Sequence, residues 1–155
     1  MSHDLLFGLD ARIYDIDEVQ ASNFTDTNTV VNSTPPGTPT LNPPYQDATT
    51  RQRQLGLYFQ DQLRWGDGWI GTFNIRHDIV DTEQDGAGPF RREDSETSFR
   101  LAFTRESQSG LTPYTIYSSF FAPLIPTPAN GVTEPEQGEQ NERGVKWAPT
   151  GGNVP

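Results

Sequence analysis

Few residues in this chain could do chemistry, and their spacing is unpromising for it. His3 and His77 are the only histidines, and neither stands at a ligand spacing from the other, so both read as wall or interface side chains rather than metal ligands. Asp81-Thr82-Glu83-Gln84-Asp85-Gly86 imitates the first half of a calcium loop, but the twelfth position is Arg92 where a bidentate glutamate is required. It reads as a solvated acidic loop, as does the series Glu134, Glu136, Glu139 and Glu142. With no cysteine there is no disulfide, thiolate metal site or cysteine nucleophile. No Ser/His/Asp set, nucleotide loop or paired-carboxylate spacing stands out, so the expectation is no enzyme, no metal and no cofactor.

The elements that hold these residues announce themselves by alternation. Gln54 to Trp65 and Trp69 to Thr82 each alternate apolar and polar residues around Gly66-Asp67-Gly68, with a tryptophan on either side, which predicts a long β-hairpin. Period-two alternation marks six strands in all, at about 4–15, 52–65, 69–82, 94–107, 112–122 and 141–148. Strands of about twelve to fourteen residues are longer than the usual five or six of soluble sheets. They suit tilted strands that cross an apolar band roughly 25 Å tall. Only 32% of the 155 residues are hydrophobic, so burial must be one-sided. The net charge of -10, from 21 acidic and 11 basic residues, argues against nucleic acid as a partner. No run approaches eighteen apolar residues, which excludes a transmembrane helix but not barrel strands. Met1 to Asp10 lacks the basic and apolar regions of an export signal, so the expectation is a cytosolic protein or a piece of a longer exported chain.

The links alternate in length. A long one at about 16–51 is followed by Gly66-Asp67-Gly68, then Glu83 to Glu93, then Gln108 to Leu111, then Pro123 to Gln140. An up-and-down outer-membrane barrel has that rhythm, with short periplasmic turns and long extracellular loops. Trp65, Trp69 and Trp147 then gather at the periplasmic rim with Tyr114, as an interfacial aromatic girdle. One face of the strands would carry Leu5, Phe7, Leu9, Ile13, Leu55, Leu57, Phe59, Phe73, Ile75, Ile79, Phe99, Leu101 and Phe103 toward lipid. The other would carry Asp10, Arg12, Gln54, Gln60, Asn74, Arg76, Asp78 and Arg100 toward a wet lumen. Asp61 is the exception on the apolar face, and a rim position or a paired neighbour would account for it.

Several motifs resemble the TonB-dependent siderophore receptors of the outer membrane, the ferrichrome type above all, over about residues 52–149. Leu55-Gly56-Leu57-Tyr58-Phe59-Gln60-Asp61-Gln62 is similar to an aromatic-x-Gln-Asp-Gln strand, and Arg76-His77-Asp78 to a Gly-Arg-Tyr-Asp strand. Leu111-Thr112-Pro113-Tyr114 with Tyr117 and Phe121-Ala122-Pro123 resembles a Thr-Pro-Tyr…Ser-Phe-x-Pro strand, and Glu142-Arg143-Gly144-Val145-Lys146-Trp147 a Glu-x-Gly-x-Lys signature. Ile75 and Phe120 depart from the pattern, which has Gly and Ser there. The family's plug, TonB-contacting segment and final strand find no counterpart.

The resemblance implies an all-β, antiparallel up-and-down meander of about six long strands, a sector of a 22-stranded transmembrane β-barrel. Residues 1–155 would be a partial barrel domain with no plug, inactive alone. Its partners would be outer-membrane lipid, the rest of the barrel and plug, the TonB complex indirectly, and a ferric siderophore as the transported ligand. Tyr45, Phe90, Arg91, Arg92, Phe120 and Phe121 would contact that ligand, because aromatics supply area and arginine pairs with anionic chelates. The competing expectations are a soluble or self-assembling β-sheet module whose open edges pair between copies, and a remnant without activity.

Overall fold

The computed structural model describes residues 1–21, 43–125 and 134–148. Six strands form one antiparallel sheet in chain order: β1 (Ser2–Gln20), β2 (Gln46–Trp65), β3 (Trp69–Gly86), β4 (Phe90–Arg105), β5 (Leu111–Ala122) and β6 (Glu136–Trp147). No helix occurs among the described residues. The turn at Gly66-Asp67-Gly68 closes because Gly66 and Gly68 take left-handed φ values of 53° and 77°, which side chains with a Cβ resist.

Every register joins residues of the same parity: Leu9 with Leu57, Gly56 with Asp78, Ile75 with Phe99, Leu101 with Tyr117 and Tyr114 with Gly144. Because side chains alternate along a strand, odd residues share one face of the whole sheet and even residues the other. The even face is the enclosed one. Gln46, Thr50, Gln52, Asp78, Thr82 and Gln84 are buried there, and the only buried hydrophobic residues described are Ala48 and Val80. The odd face leaves Leu5, Phe7, Leu9, Ile13, Leu57, Phe59, Phe73, Ile79 and Phe103 exposed. Such an inside-out distribution is untenable for an isolated sheet in water, where exposed apolar patches are small, and is what a hydrocarbon solvent selects.

The upper limit of the apolar surface shifts from strand to strand. It reaches Ile13 on β1, then Leu55 and Ile79 on β2 and β3; on β4 Ser95 already faces Ile79, and the apolar run ends at Phe99. A band that cuts the ladder obliquely is the mark of strands tilted within a layer of constant thickness.

Three links are shorter than the sequence implied. The first is 21–45 instead of about 16–51, the third only Ala87–Pro89 instead of Glu83 to Glu93, and the fifth 123–135 instead of Pro123 to Gln140. Strict alternation of long and short links therefore does not hold. Past the apolar band both faces are polar, so no alternation shows in the sequence, yet cross-strand polar pairs carry the ladder onward. On the odd face Arg51 Nε lies 2.5 Å from Asp15 and Thr49 donates to Asp17 at 2.9 Å; on the even face Thr50 donates to Gln84 and Gln52 to Thr82, both at 3.1 Å. The hydrogen bond to Asp15 holds the Arg51 guanidinium above its ordinary pKa. The two ends of the sheet still differ. β2 and β3 stop at Trp65 and Trp69, whereas their other ends overhang the band through Gln46 and Gly86.

An arginine in place of Phe59, mid-band on the odd face, should destabilise the intact protein in lipid vesicles by about 2–4 kcal/mol. Asn74→Arg on the even face should change stability by under about 1 kcal/mol. Urea unfolding followed by tryptophan fluorescence measures both, and equal costs would reject the assignment of faces.

Candidate functional site

The even face carries a cluster that the ladder assembles from three strands. Asp10 on β1 and Asp78 on β3 lie on either side of Gly56 on β2. Arg76 grips Asp78 with both arms, Nε to Oδ2 at 2.7 Å and Nη2 to Oδ1 at 2.6 Å, and its Nη2 also donates to Asp10 Oδ1 at 2.8 Å. Gln54 Nε2 donates to Asp78 Oδ1 at 2.8 Å, so the buried carboxylate is fully engaged. Gly56 makes the reach possible. A Cβ there would stand 2.0 Å from Arg76 Nη2 and 2.5 Å from Asp10 Oδ1, so the bridge crosses β2 only where β2 has no side chain.

Beside this cluster lies a concavity of about 650 Å³, lined by Arg12, Tyr14, Gln52, Gln54, Arg76 and Asp78 from the first three strands and by Ser119 to Ile125 from the end of β5. Residues four strands apart meet around one hollow only if the sheet curls with its even face inward. The hollow is a mixed surface. Half-exposed Arg12 and Tyr14 face Phe120, Phe121 and Leu124, and such a combination of apolar area with a few hydrogen-bonding groups suits a small polar ligand with a greasy body.

The residues expected at the ligand site are only partly brought together. Phe120 and Phe121 line the hollow. Arg92, on the same face, is spent on Asp94 (2.6 Å) and on the Leu124 carbonyl (3.3 Å). Phe90 begins β4 opposite Gln84, and Tyr45 is exposed ahead of β2, where its hydroxyl donates to Gln20 at 2.7 Å; neither lines the hollow. Arg91 is odd-numbered and lies on the opposite face with Asp81 (3.3 Å) and Glu93 (3.8 Å). Asp10, Arg12, Tyr14, Gln52 and Gln54 were not among the expected ligand residues, although their shared parity marks all of them.

The motif residues have physical explanations. Tyr114 lies across Gly144, where an added Cβ would be 2.6 Å from its hydroxyl; Tyr114 donates to Glu142 Oε1 at 2.7 Å, and Lys146 Nζ sits 5.3 Å from the ring centre. The Glu142-x-Gly144-x-Lys146 spacing is thus a cradle for one tyrosine ring on the facing strand, with Pro113 next to it paired to Val145. This puts Tyr114 on the even face and corrects its placement in the lipid-side girdle. Trp65, Trp69 and Trp147 are odd. Trp65 and Trp69 pair across the turn and stack at 6.3 Å and 12°, with Arg105 5.3 Å from the Trp69 ring. Gln60 occupies the even face opposite Leu6 and Asn74. Asp61, the acid on the odd face, has a partner, since His3 Nδ1 lies 2.9 Å from its Oδ2. His77 Nδ1 meets Thr97 Oγ1 at 2.9 Å.

An amphipathic antiparallel meander, curled polar side in, with stacked tryptophans at one end of its apolar surface, is a wall of a membrane β-barrel. Residues 1–154 match the family model described as TonB dependent receptor-like, beta-barrel, and the chain belongs to that family. It is 37% identical over 113 residues to the ferrioxamine B receptor of Salmonella typhimurium, an alignment that covers 70% of this chain and 16% of the relative. Against the ferrichrome outer membrane transporter/phage receptor of Escherichia coli K12 it is 35% identical over 103 residues, 64% of this chain and 14% of the relative. Against the ferrioxamine receptor of Yersinia enterocolitica it is 30% identical over 118 residues, 74% of this chain and 16% of the relative. The chain thus spans about a sixth of the length of the curated relatives it matches, and the family assigns its strands to the outer membrane.

Removing Asp78 leaves Arg76 with Asp10 alone, and Asp78→Ala should cost roughly 3 kcal/mol in chemical denaturation of the intact protein. Gly56→Ala and Asp10→Ala break the same contact, so their double variant should be less destabilised than the sum by about 1 kcal/mol. Strict additivity would show that the bridge across Gly56 contributes nothing.

Proposed function

We propose that this chain is part of the wall of an outer-membrane receptor that takes up ferric siderophores, driven by TonB through a plug that the barrel encloses. The observation that carries the reading is the partition of β1 to β4 into an apolar odd face and a polar, inward-curled even face, in a chain that belongs to the receptor barrel family. The relatives' names supply the substrate class, ferrioxamine and ferrichrome. Arg12, Tyr14, Gln52 and Phe120 would touch such a complex in the hollow, where tyrosine and phenylalanine offer area and arginine and glutamine offer donors to the oxygens of an iron chelate.

The chemistry asked of the chain is binding and containment. The Asp10, Arg76 and Asp78 network fixes the floor of the hollow.

Uptake of radioactive iron supplied as ferrioxamine B or as ferrichrome, by cells that lack their own receptors for both and express the intact protein, tests the reading. Uptake that disappears when TonB is deleted is expected; no TonB-dependent uptake of either complex would overturn it. Phe120→Ala, on the even face, should weaken binding of the transported complex about tenfold. Arg91→Ala, on the lipid side, should leave it unchanged, as measured by quenching of tryptophan fluorescence.

A further inference from the structure

The odd face is interrupted twice beside the turn at Gly66-Asp67-Gly68, once by a glycine and once by a cation. Register sets its residues on β2, β3 and β4 in rows: Trp65, Trp69 and Arg105 nearest the turn, then Leu63, Gly71 and Phe103, then Asp61, Phe73 and Leu101. Gly71 notches the second row. Around it Leu63, Trp65, Phe73, Leu101 and Phe103 enclose a groove of about 180 Å³. A Cβ on Gly71 would stand 3.1 Å from Trp65 Cζ3 and 3.7 Å from Phe103 Cε1, so a larger side chain there would fill the groove. Asp61 closes the far end, where His3 Nδ1 meets it at 2.9 Å.

At the near end the cation is uncommitted. Arg105 is exposed, with its guanidinium 5.3 Å from the centre of the Trp69 ring, which in turn stacks on Trp65 at the mouth of the groove. It forms no ion pair or side-chain hydrogen bond among the described residues, whereas Arg51 and Arg91 of the same face are paired with Asp15 and Asp81. A guanidinium held against an aromatic ring keeps N–H donors for a phosphate, which it can meet with two parallel bonds. The row lies where the apolar surface ends, the level at which tryptophan meets lipid headgroups. The acceptor available at that level is the phosphodiester of a lipid.

We propose that this end of the odd face binds one anionic phospholipid, with its phosphate on Arg105 beside Trp69 and a stretch of acyl chain in the Gly71 groove. Charge selects the headgroup. No carboxylate stands in the row of Trp65, Trp69 and Arg105 to meet an ammonium, so phosphatidylglycerol is held in preference to phosphatidylethanolamine. The groove contributes by shape alone, because bulk lipid chains are as apolar as its walls and only closer packing distinguishes them. Affinity above that of bulk lipid therefore comes mainly from Arg105. This goes beyond the siderophore reading and does not depend on it, since the hollow lies on the other face of the sheet.

The probe is phosphatidylglycerol carrying a photoreactive diazirine in one acyl chain, cross-linked to the intact protein in detergent micelles and mapped by peptide mass spectrometry. Cross-links are expected at residues 63–73 and 101–105, displaced about fivefold more effectively by unlabelled phosphatidylglycerol than by phosphatidylethanolamine. Arg105→Gln should lower their yield about fivefold and Arg105→Lys should restore it, while Arg51→Gln, a lost charge at the other end of the same face, should leave it unchanged. Gly71→Ile should move the cross-links out of the groove; if that variant fails to fold, Arg105→Gln at the exposed end of β4 still decides the matter. Equal displacement by the two lipids, or a yield indifferent to Arg105→Gln, would overturn the proposal by showing ordinary lipid contact without a headgroup site.

Discussion

In hydrocarbon a peptide group has no water to turn to, so each N–H and C=O that enters the membrane must find its partner on a neighbouring strand. That single constraint organises this chain. It accounts for unbroken ladders between β1, β2, β3 and β4 across the apolar band. It also forces the side chains into two populations. Once the backbone is saturated within the sheet, parity alone decides whether a residue meets lipid or water, and Leu57 and Tyr58, neighbours in sequence, live in different solvents.

The polar face meets the second demand, that charge held away from bulk water be paired. Asp78 is buried and takes three hydrogen bonds from Arg76 and Gln54. The bridge to Asp10 adds a lateral tie across β2 that the backbone ladder cannot make by itself. Glycine does the complementary work. At Gly56 and Gly144 a missing side chain lets a neighbour's long side chain lie across the strand, so an arginine or a tyrosine ring occupies the vacated surface. The signature spacing of Glu142, Gly144 and Lys146 follows from the geometry of holding one aromatic ring, with no need to invoke the ligand.

How much of this the sequence revealed depended on contrast between faces. Gln54 to Thr82 was legible as a hairpin because Leu55, Leu57 and Phe59 alternate with Gln54, Tyr58 and Gln60. Gln46 to Arg53 was not, because Thr49, Thr50, Arg51 and Gln52 give both faces the same polarity, and the ladder there is carried by pairs such as Arg51 with Asp15 that are far apart in the chain. The same limit hid the site. Asp10 and Arg76 are 66 positions apart, and nothing local to either announces the other. Tyr114 follows the start of β5 at Leu111, but its face could be known only through the register from β4 to β6. Arg91 and Arg92 show the converse error, since two adjacent arginines counted as one feature fall on opposite sides of the wall.

The central claim is that the odd face meets lipid and the even face meets water. The chain contains no cysteine, so single cysteines can be placed at each position from 72 to 75 on β3 without a competing thiol from this segment. Labelling of the intact protein in outer membranes by a membrane-impermeant maleimide should then alternate, fast at 72 and 74 and at least tenfold slower at 73 and 75. Labelling at similar rates along the whole stretch would contradict the account.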